Sequence, residues 1–298
     1  MRVNPQYMTN LVGSLDATSS AEQRLTEELA SGSQVNALSD SPIATGENVL
    51  LSAQIGSDDS FSQTASSSTS MLQVSDSTLG SVVSQLTTAI SLATEANNGT
   101  LNASNLQSIS DQLAGIRDEV LSLANTTYLG NFVFAGSQGS TVPYSLDTTS
   151  SPAVATYNGD TDVDWLETPT GQKIQLNVPG SQIFSTAGSD VLGTLNSLVA
   201  DFSSGTAAPT AVADTQALTA ALNYVSQQRV VIDNSISRLT AAENYTQSES
   251  SQLTAVQTNL LQADVGQIAT QLSTAETQQT ALSQVIATLG KQSLFNDL

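Results

Sequence analysis

The sequence predicts a mainly α fold with a β insertion: a long antiparallel helical bundle or coiled coil formed by the N- and C-terminal segments, with a small mainly β domain inserted in the middle. Three observations carry that prediction. Apolar residues recur in three- and four-residue steps through both ends of the 298-residue chain. Between about 131 and 209 this period gives way to Gly, Pro, aromatic and β-branched residues. Helical segments on both sides of such an insertion require the chain to fold back, which lays the two ends side by side.

The order of elements follows from the residues. A first arm, 1–40, carries Leu11, Leu15, Thr18, Glu22, Leu25 and Leu29 at helical spacing, a stripe that is thin and polar in its middle. The stretch "ASGSQVNALSDSPIATGENV" then breaks the helix and restarts it. Ser31, Gly32 and Ser33 supply a stop, Ser41 suits an N-cap beside Asp40, and Pro42 fits the first helical turn, where its missing N–H costs nothing. Gly32, Asn36, Asp40 and Pro42 are therefore the expected hinge.

Residues 41–130 form the N-terminal part of the bundle. Leu72, Leu79 and Leu86 recur every seven residues with Val83 and Ile90 beside them, in a helix running to about Asn97. After "NNGTLNAS", the residues Leu106, Ile109, Leu113, Ile116, Val120 and Leu123 keep a three-four alternation without a fault.

The insertion, 131–209, shows period-two alternation at Ile174, Leu176 and Val178 and turn signals at Asn158-Gly159, Pro169 to Gly171 and Pro179-Gly180, with one short helix near Val191 to Phe202. Residues 210–259 return to the bundle with Leu218, Leu222, Val225, Arg229, Ile232, Ile236 and Leu239, then Leu253, Val256 and Leu260.

A one-residue shift starts a second register in the C-terminal arm, 260–298, through Leu261, Val265, Ile268, Leu272, Ala275, Leu282, Ile286 and Leu289. Such a shift reads as a coiled-coil stutter or a domain boundary. With no Pro after Pro209, an unbroken helix here would run about 75 residues and roughly 110 Å at 1.5 Å per residue.

Composition excludes several function classes. Against 27 acidic residues stand 7 basic ones, a formal net charge of −20, which opposes binding to nucleic-acid phosphates or to an anionic membrane. No window approaches the roughly 20 apolar residues of a membrane span, and no apolar core of a cleavable signal peptide occupies the first residues. His and Cys are absent, which removes the commonest general base, metal ligand and thiol nucleophile. A Ser-Lys hydrolase would need a nucleophile near Lys173 or Lys291, and no local motif supplies one. The expectation is a chain that is not an enzyme and takes no cofactor.

Other polar features have structural readings. In "DTDVD", Asp160, Asp162 and Asp164 alternate, but an EF-hand needs Gly at its sixth place and Glu at its twelfth, where Trp165 and Gly171 stand. The expectation is a strand with its acidic face in solvent and Val163 and Trp165 turned inward. Arg229 lies on an apolar stripe, either in a polar layer with Asp233 one turn away or snorkelling at the stripe's edge. Phe132, Phe134, Tyr144 and Tyr157 are expected in the core of the insertion rather than in a ligand cage.

The arms carry about one apolar residue per 3.5, so burial barely offsets a backbone ordering cost of roughly 1–2 kcal/mol per residue. Residues 1 to about 40 and about 260 to 298 are expected to be marginal alone and to order when copies pack together.

Several of these stretches carry a resemblance. "LASGSQVNALSDSPIATGENV", "GNFVFAGSQGSTVPYS", "RVVIDNSISRLTAAENY" and the tail "GKQSLFNDL" together resemble the bacterial flagellin superfamily, most of all its hook-associated protein 3 branch, over nearly all of the chain outside part of the insertion. Where that family has a basic residue after Ser-Gly, this chain has Ser33 and Gln34. The resemblance implies a structural, extracellular subunit at the hook-filament junction, exported without a cleaved signal peptide.

It also implies partners: hook-associated protein 1, flagellin, copies of itself in a ring and an export chaperone. The implied assembly residues are Leu11, Leu15, Leu25, Leu29, Leu261, Val265, Ile268, Leu272, Leu282, Ile286, Leu289 and, in the Ser-Leu-Phe ending, Leu294 and Phe295. A short flagellin of the filament itself is the neighbouring alternative. A secreted coiled-coil adhesin is the alternative of a different class.

Overall fold

The computed structural model describes residues 5–37 and 39–294. The chain divides into two compact units, residues 58–247 and residues 1–57 with 248–298. In order, the helices are α1 (Pro5–Ser31), α2 (Pro42–Asn97), α3 (Ala103–Ala124), α4 (Gly180–Phe184), α5 (Val191–Ser203), α6 (Ala211–Leu261) and α7 (Val265–Leu294). Eight short strands lie between α3 and α5.

The unit of residues 58–247 is built on a seam of period seven. Phe61, Ser68, Ser75, Val82, Ala89 and Ala96 are all buried, as are Ala65, Leu72, Leu79, Leu86 and Ala93. On α6 the buried set is Ala211, Leu218, Val225, Ile232, Leu239 and Thr246. Two buried positions per seven residues is the stripe of a left-handed coiled coil, because it lets a helix of 3.6 residues per turn keep one face on its neighbour. Much of this seam is Ala and Ser. Such small side chains carry little periodic signal of their own, which is why the leucine heptads alone reveal only the middle of it.

Helices α2 and α6 run antiparallel. Asn97 donates to the Thr215 hydroxyl (3.0 Å) near one end, and Arg229 meets Asp76 farther along. The Arg229 guanidinium donates through Nε and Nη2 to both carboxylate oxygens, at 2.8 and 3.0 Å. Its partner is thus Asp76 on the facing helix, not Asp233 one turn away, which adds only a weaker attraction. The hydrogen bonds to Asp76 raise the Arg229 pKa further. Gly80 lies beside the guanidinium, where a Cβ would make an ordinary contact at 3.5 Å.

Both side chains are partly exposed, so water screens the pair. A double-mutant cycle with Arg229→Met and Asp76→Asn is expected to return a coupling of about 1 kcal/mol. A coupling near zero would leave the pair no part in fixing the register of α2 on α6.

Helix α3 starts at Asn102, whose side chain caps Asn105 N (2.9 Å), and packs on α5. Helix α5 begins with Asp190 accepting from Gly193 N (2.9 Å). Burial raises the Asp190 pKa despite that bond. The predicted short helix is present as α5, and α4 is an additional turn.

The inserted strands do not merge into one sheet. β1 (Thr127–Tyr128) pairs with β2 (Asn131–Phe132), β3 (Tyr144–Asp147) with β4 (Val154–Tyr157), β5 (Trp165–Glu167) with β6 (Lys173–Gln175), and β7 (Ser185–Thr186) with β8 (Ser189–Asp190), each as a separate antiparallel ladder. Two-stranded ladders are marginal alone, so their order comes from what they pack against.

That support is an aromatic cluster. Phe184 meets Phe134 and Tyr144 edge-on, with centroids 5.5 and 5.7 Å apart, and Tyr144 lies 5.1 Å from Tyr157. Phe134, Tyr144 and Phe184 are fully buried, while Phe132 and Tyr157 are half-buried. Asn125 at the end of α3 clamps this corner, donating to Tyr144 O (2.9 Å) and accepting from Tyr144 N (2.8 Å). The buried Tyr144 hydroxyl shares a hydrogen bond with Ser185 (2.8 Å), and burial drives its pKa well up.

The acidic run is not the expected strand. Residues 160–164 precede β5, and Asp160 is a loop anchor whose carboxylate accepts from Ser137 N (2.8 Å), Ser137 Oγ (2.5 Å) and Asp162 N (3.1 Å). Trp165 faces solvent, 55% exposed, and Leu166 takes the inward position with Ile174 opposite. The reason is register: the ladder starts at Trp165, and one residue of slip exchanges the two faces.

The Ser137 bonds lower the Asp160 pKa below its ordinary 3.8. A lowered folded pKa contributes stability at pH above about 4 that is lost as pH falls through the folded value. Asp160→Ala is therefore expected to be less stable than the parent at pH 7, with the gap closing below about pH 4. Urea midpoints measured at pH 7 and pH 3 check this, and an equal gap at both would refute it.

Candidate assembly surface

The unit of residues 1–57 and 248–298 contains a joint made of two helix breaks. Glu28 O accepts from Gly32 N (2.9 Å), and Gly32, at φ 68, ends α1 in the left-handed region. The Asp40 carboxylate then closes a small loop, accepting from Asn36 N (3.0 Å) and Ala37 N (2.7 Å), while the Asn36 amide donates to Ser33 O (3.1 Å). Ser41 Oγ accepts from Ala44 N (3.3 Å), so α2 starts with a side-chain cap and Pro42 at its first position.

The second break lies opposite the first. α6 ends at Leu261, and α7 restarts at Val265 behind Asp264, which accepts from Gln267 N (3.0 Å). The unbroken helix that the absence of proline allowed is thus two helices, parted where the apolar register shifts. The chain leaves the helix between Leu261 and Val265, where backbone groups find partners in the first break. Gln34 N donates to Leu261 O (2.8 Å), Ala263 N donates to Gly32 O (3.0 Å), and Ser33 and Gln262 form a β-bridge. The Gln34 side chain adds a bond to Leu260 O (2.7 Å). The sequence gives the first break through Gly and Pro, but the second carries no such signal.

Beyond the joint, α1 and α7 pack against each other. Leu25, Ala263 and Ile268 are buried together, with Leu272 against them. Leu11, Leu15, Leu261, Leu282, Ile286 and Leu289 are half-buried, whereas Leu29 and Val265 lie exposed. Phe295 and the Leu294 side chain fall outside the described residues. The seam between the arms is thin: one small cluster, and half-covered leucines beyond it.

An apolar face that periodicity does not flag opens beside the joint. Ile43 and Leu50, one heptad apart on α2, are 77% and 72% exposed, with Val49 exposed beside them. Gln257 braces the same helix by donating to Asn48 Oδ1 and Ser52 Oγ, both at 2.8 Å. With Tyr7, Val12, Val265 and Val285 also exposed, this unit presents apolar side chains that its own fold leaves uncovered. Among the described residues no group of three or more acidic, His or Cys side chains is placed to hold a metal, and no helix is long and apolar enough to cross a membrane.

The profile of the bacterial flagellin N-terminal helical region matches residues 3–139. Flagellar hook-associated protein 3 of Salmonella typhimurium is 30% identical over 198 residues, covering 64% of this chain and 59% of that protein. The protein of the same name in Escherichia coli is 36% identical over 124 residues, 40% of this chain and 38% of its own length. The matched stretches span less than two thirds of either relative. Flagellin of Bacillus subtilis is 27% identical over 267 residues, 87% of this chain and 80% of that protein.

Among solved structures, a flagellar hook-associated protein from Vibrio parahaemolyticus superposes with a TM-score of 0.66 at 20% identity, covering 75% of this chain and all of that one. Hook-associated protein 3 of Legionella pneumophila gives 0.60 at 13% identity, over 71% of this chain and 98% of that one. At those identities the likeness is one of fold: long helices framing an insertion of small ladders.

Proposed function

We propose that the chain is a member of the bacterial flagellin superfamily, like hook-associated protein 3, with a non-catalytic structural role at the junction between flagellar hook and filament. In this reading the α1–α7 arms and the exposed start of α2 pack laterally against neighbouring copies in a ring. Hook-associated protein 1 lies on one side and flagellin on the other, and the insertion lies on the outer surface. In this reading the chain reaches that place by export, held by an export chaperone.

The observation that carries this reading is the uncovered apolar surface around the joint. Ile43, Val49 and Leu50 are 77%, 61% and 72% exposed, and burying a side chain of this size contributes about 1.5–3 kcal/mol. Arms with so thin a seam gain most of their stability from neighbours. Accordingly, amides of residues 5–40 and 260–294 should exchange quickly in the lone chain and slowly once it is added to hooks bearing hook-associated protein 1. Arms already protected in the lone chain, with no change on addition, would turn the reading toward a self-contained helical adhesin.

The 27% identity to a flagellin keeps a second reading in view, a short subunit of the filament itself. Labelling flagella with an antibody to the insertion separates the two. The junction role gives a single band where hook meets filament, and the filament role gives label along the whole length.

A further inference from the structure

We propose that the cleft between the β5–β6 hairpin and α6 receives an acidic side chain of a second copy of this chain. The cleft has a volume of about 240 Å³ and is lined by Thr168, Gln172, Ile174, Arg238 and Tyr245 among others. Its hairpin wall is fixed: Thr168 N donates to Gln172 O (2.8 Å), Gln172 N to Thr168 Oγ1 (3.0 Å), and Gly171 takes the turn at φ 81. Buried Ile174 anchors that wall in the core.

The charge of the site sets it apart from the rest of the surface. The chain carries a net −20. Of the described basic side chains, Arg24, Arg117 and Arg229 each face a carboxylate of the same chain. Arg238 forms no ion pair among the described residues, and its Nη2 donates to the backbone oxygen Lys173 O (2.9 Å). That bond uses one of five guanidinium donors and leaves the others for a ligand. Glu167 lies across the ladder from Lys173 and is the one carboxylate directly opposite it in that ladder.

Copies of so acidic a chain repel one another almost everywhere, so an unpaired cation in a cleft is the place where a neighbour's carboxylate can approach with attraction. Tyr245 at the cleft is 54% exposed, and an exposed Tyr beside an Arg is the pairing enriched where partners dock. A cationic cleft meeting an acidic surface is a head-to-tail contact, and head-to-tail contacts between identical chains generate rings or helical tubes. The inference therefore rests on the proposed ring and names a contact within it.

The test places a photo-cross-linking phenylalanine derivative at Gln172, on the exposed rim, in the full chain produced in its own bacterium. Irradiated flagella should yield a covalent dimer of this chain, with the second site in a segment containing Asp or Glu. Arg238→Glu should lower dimer yield by about tenfold or more, while Arg238→Lys, which keeps the charge, retains most of it. Cross-links to a different protein, or none although the chain sits at the junction, would overturn the contact and leave the junction role standing. A chain absent from the irradiated flagella would overturn the role and the contact together.

Discussion

Ile268→Asp is expected to reduce incorporation of this chain into flagella by about tenfold or more and to leave cells with few attached filaments. Ile268 is buried with Leu25 and Ala263 in the one small cluster that holds α1 to α7. An aspartate there must either keep its charge in an apolar contact or push the helices apart, and a buried charge without a partner is among the most costly single changes. The substitution lies outside residues 58–247, and distant sites act nearly independently. Thermal unfolding of that unit should therefore move by less than about 2 °C. Ile268→Leu, which keeps volume and apolarity, should restore incorporation. Normal filaments on Ile268→Asp cells would remove the arms from the account of assembly.

The largest effect on stability should come from Phe184→Ala. Phe184 is fully buried and touches Phe134 and Tyr144 edge-on, so the substitution loses transfer energy, opens a cavity and strips two aromatic contacts. The expected cost is about 3–5 kcal/mol. For a unit of this size each kcal/mol lowers Tm by roughly 2–4 °C, so calorimetry should record a fall of about 6–20 °C. Phe184→Leu should recover much of it. A loss under about 1 kcal/mol would mean that the ladders are held by their own hydrogen bonds, contrary to the marginal stability of two-stranded ribbons.

The fold was legible wherever one residue type dominates a period. Leu72, Leu79 and Leu86 announce the α2 seam, and Leu218, Val225, Ile232 and Leu239 the α6 seam, because large apolar residues at sevenfold spacing have few other uses. The extension of the seam through Ser68, Ser75, Ala89 and Ala96 is not legible. Ala and Ser are equally common on solvent faces, and only the neighbouring helix shows which of them are covered. Nor does periodicity flag Ile43 and Leu50, which only the folded chain shows to be 77% and 72% exposed.

Polar partners were the other hidden layer. Arg229 could be placed on a stripe, but its helix contains Asp233 one turn away and the structure prefers Asp76, 153 residues distant, since a facing helix offers both carboxylate oxygens to the guanidinium fork. Phe184, central to the aromatic cluster, lies in "SQIFST" with no periodic signal around it. Asp160 looked like one member of an alternating strand and is a loop anchor.

The helical ends, the first break at Gly32 to Pro42, the insertion between them and the lack of His and Cys are written in the residues alone. Those are properties of local steric preference, periodicity and composition, which any stretch of chain carries with it. Where α6 stops, which face of the β5–β6 ladder is inward and which of the described cations form no ion pair emerge only from the folded chain. These depend on partners far along the chain: α6 ends at Leu261, whose carbonyl accepts from Gln34 N, and among the described residues Arg238 forms no ion pair.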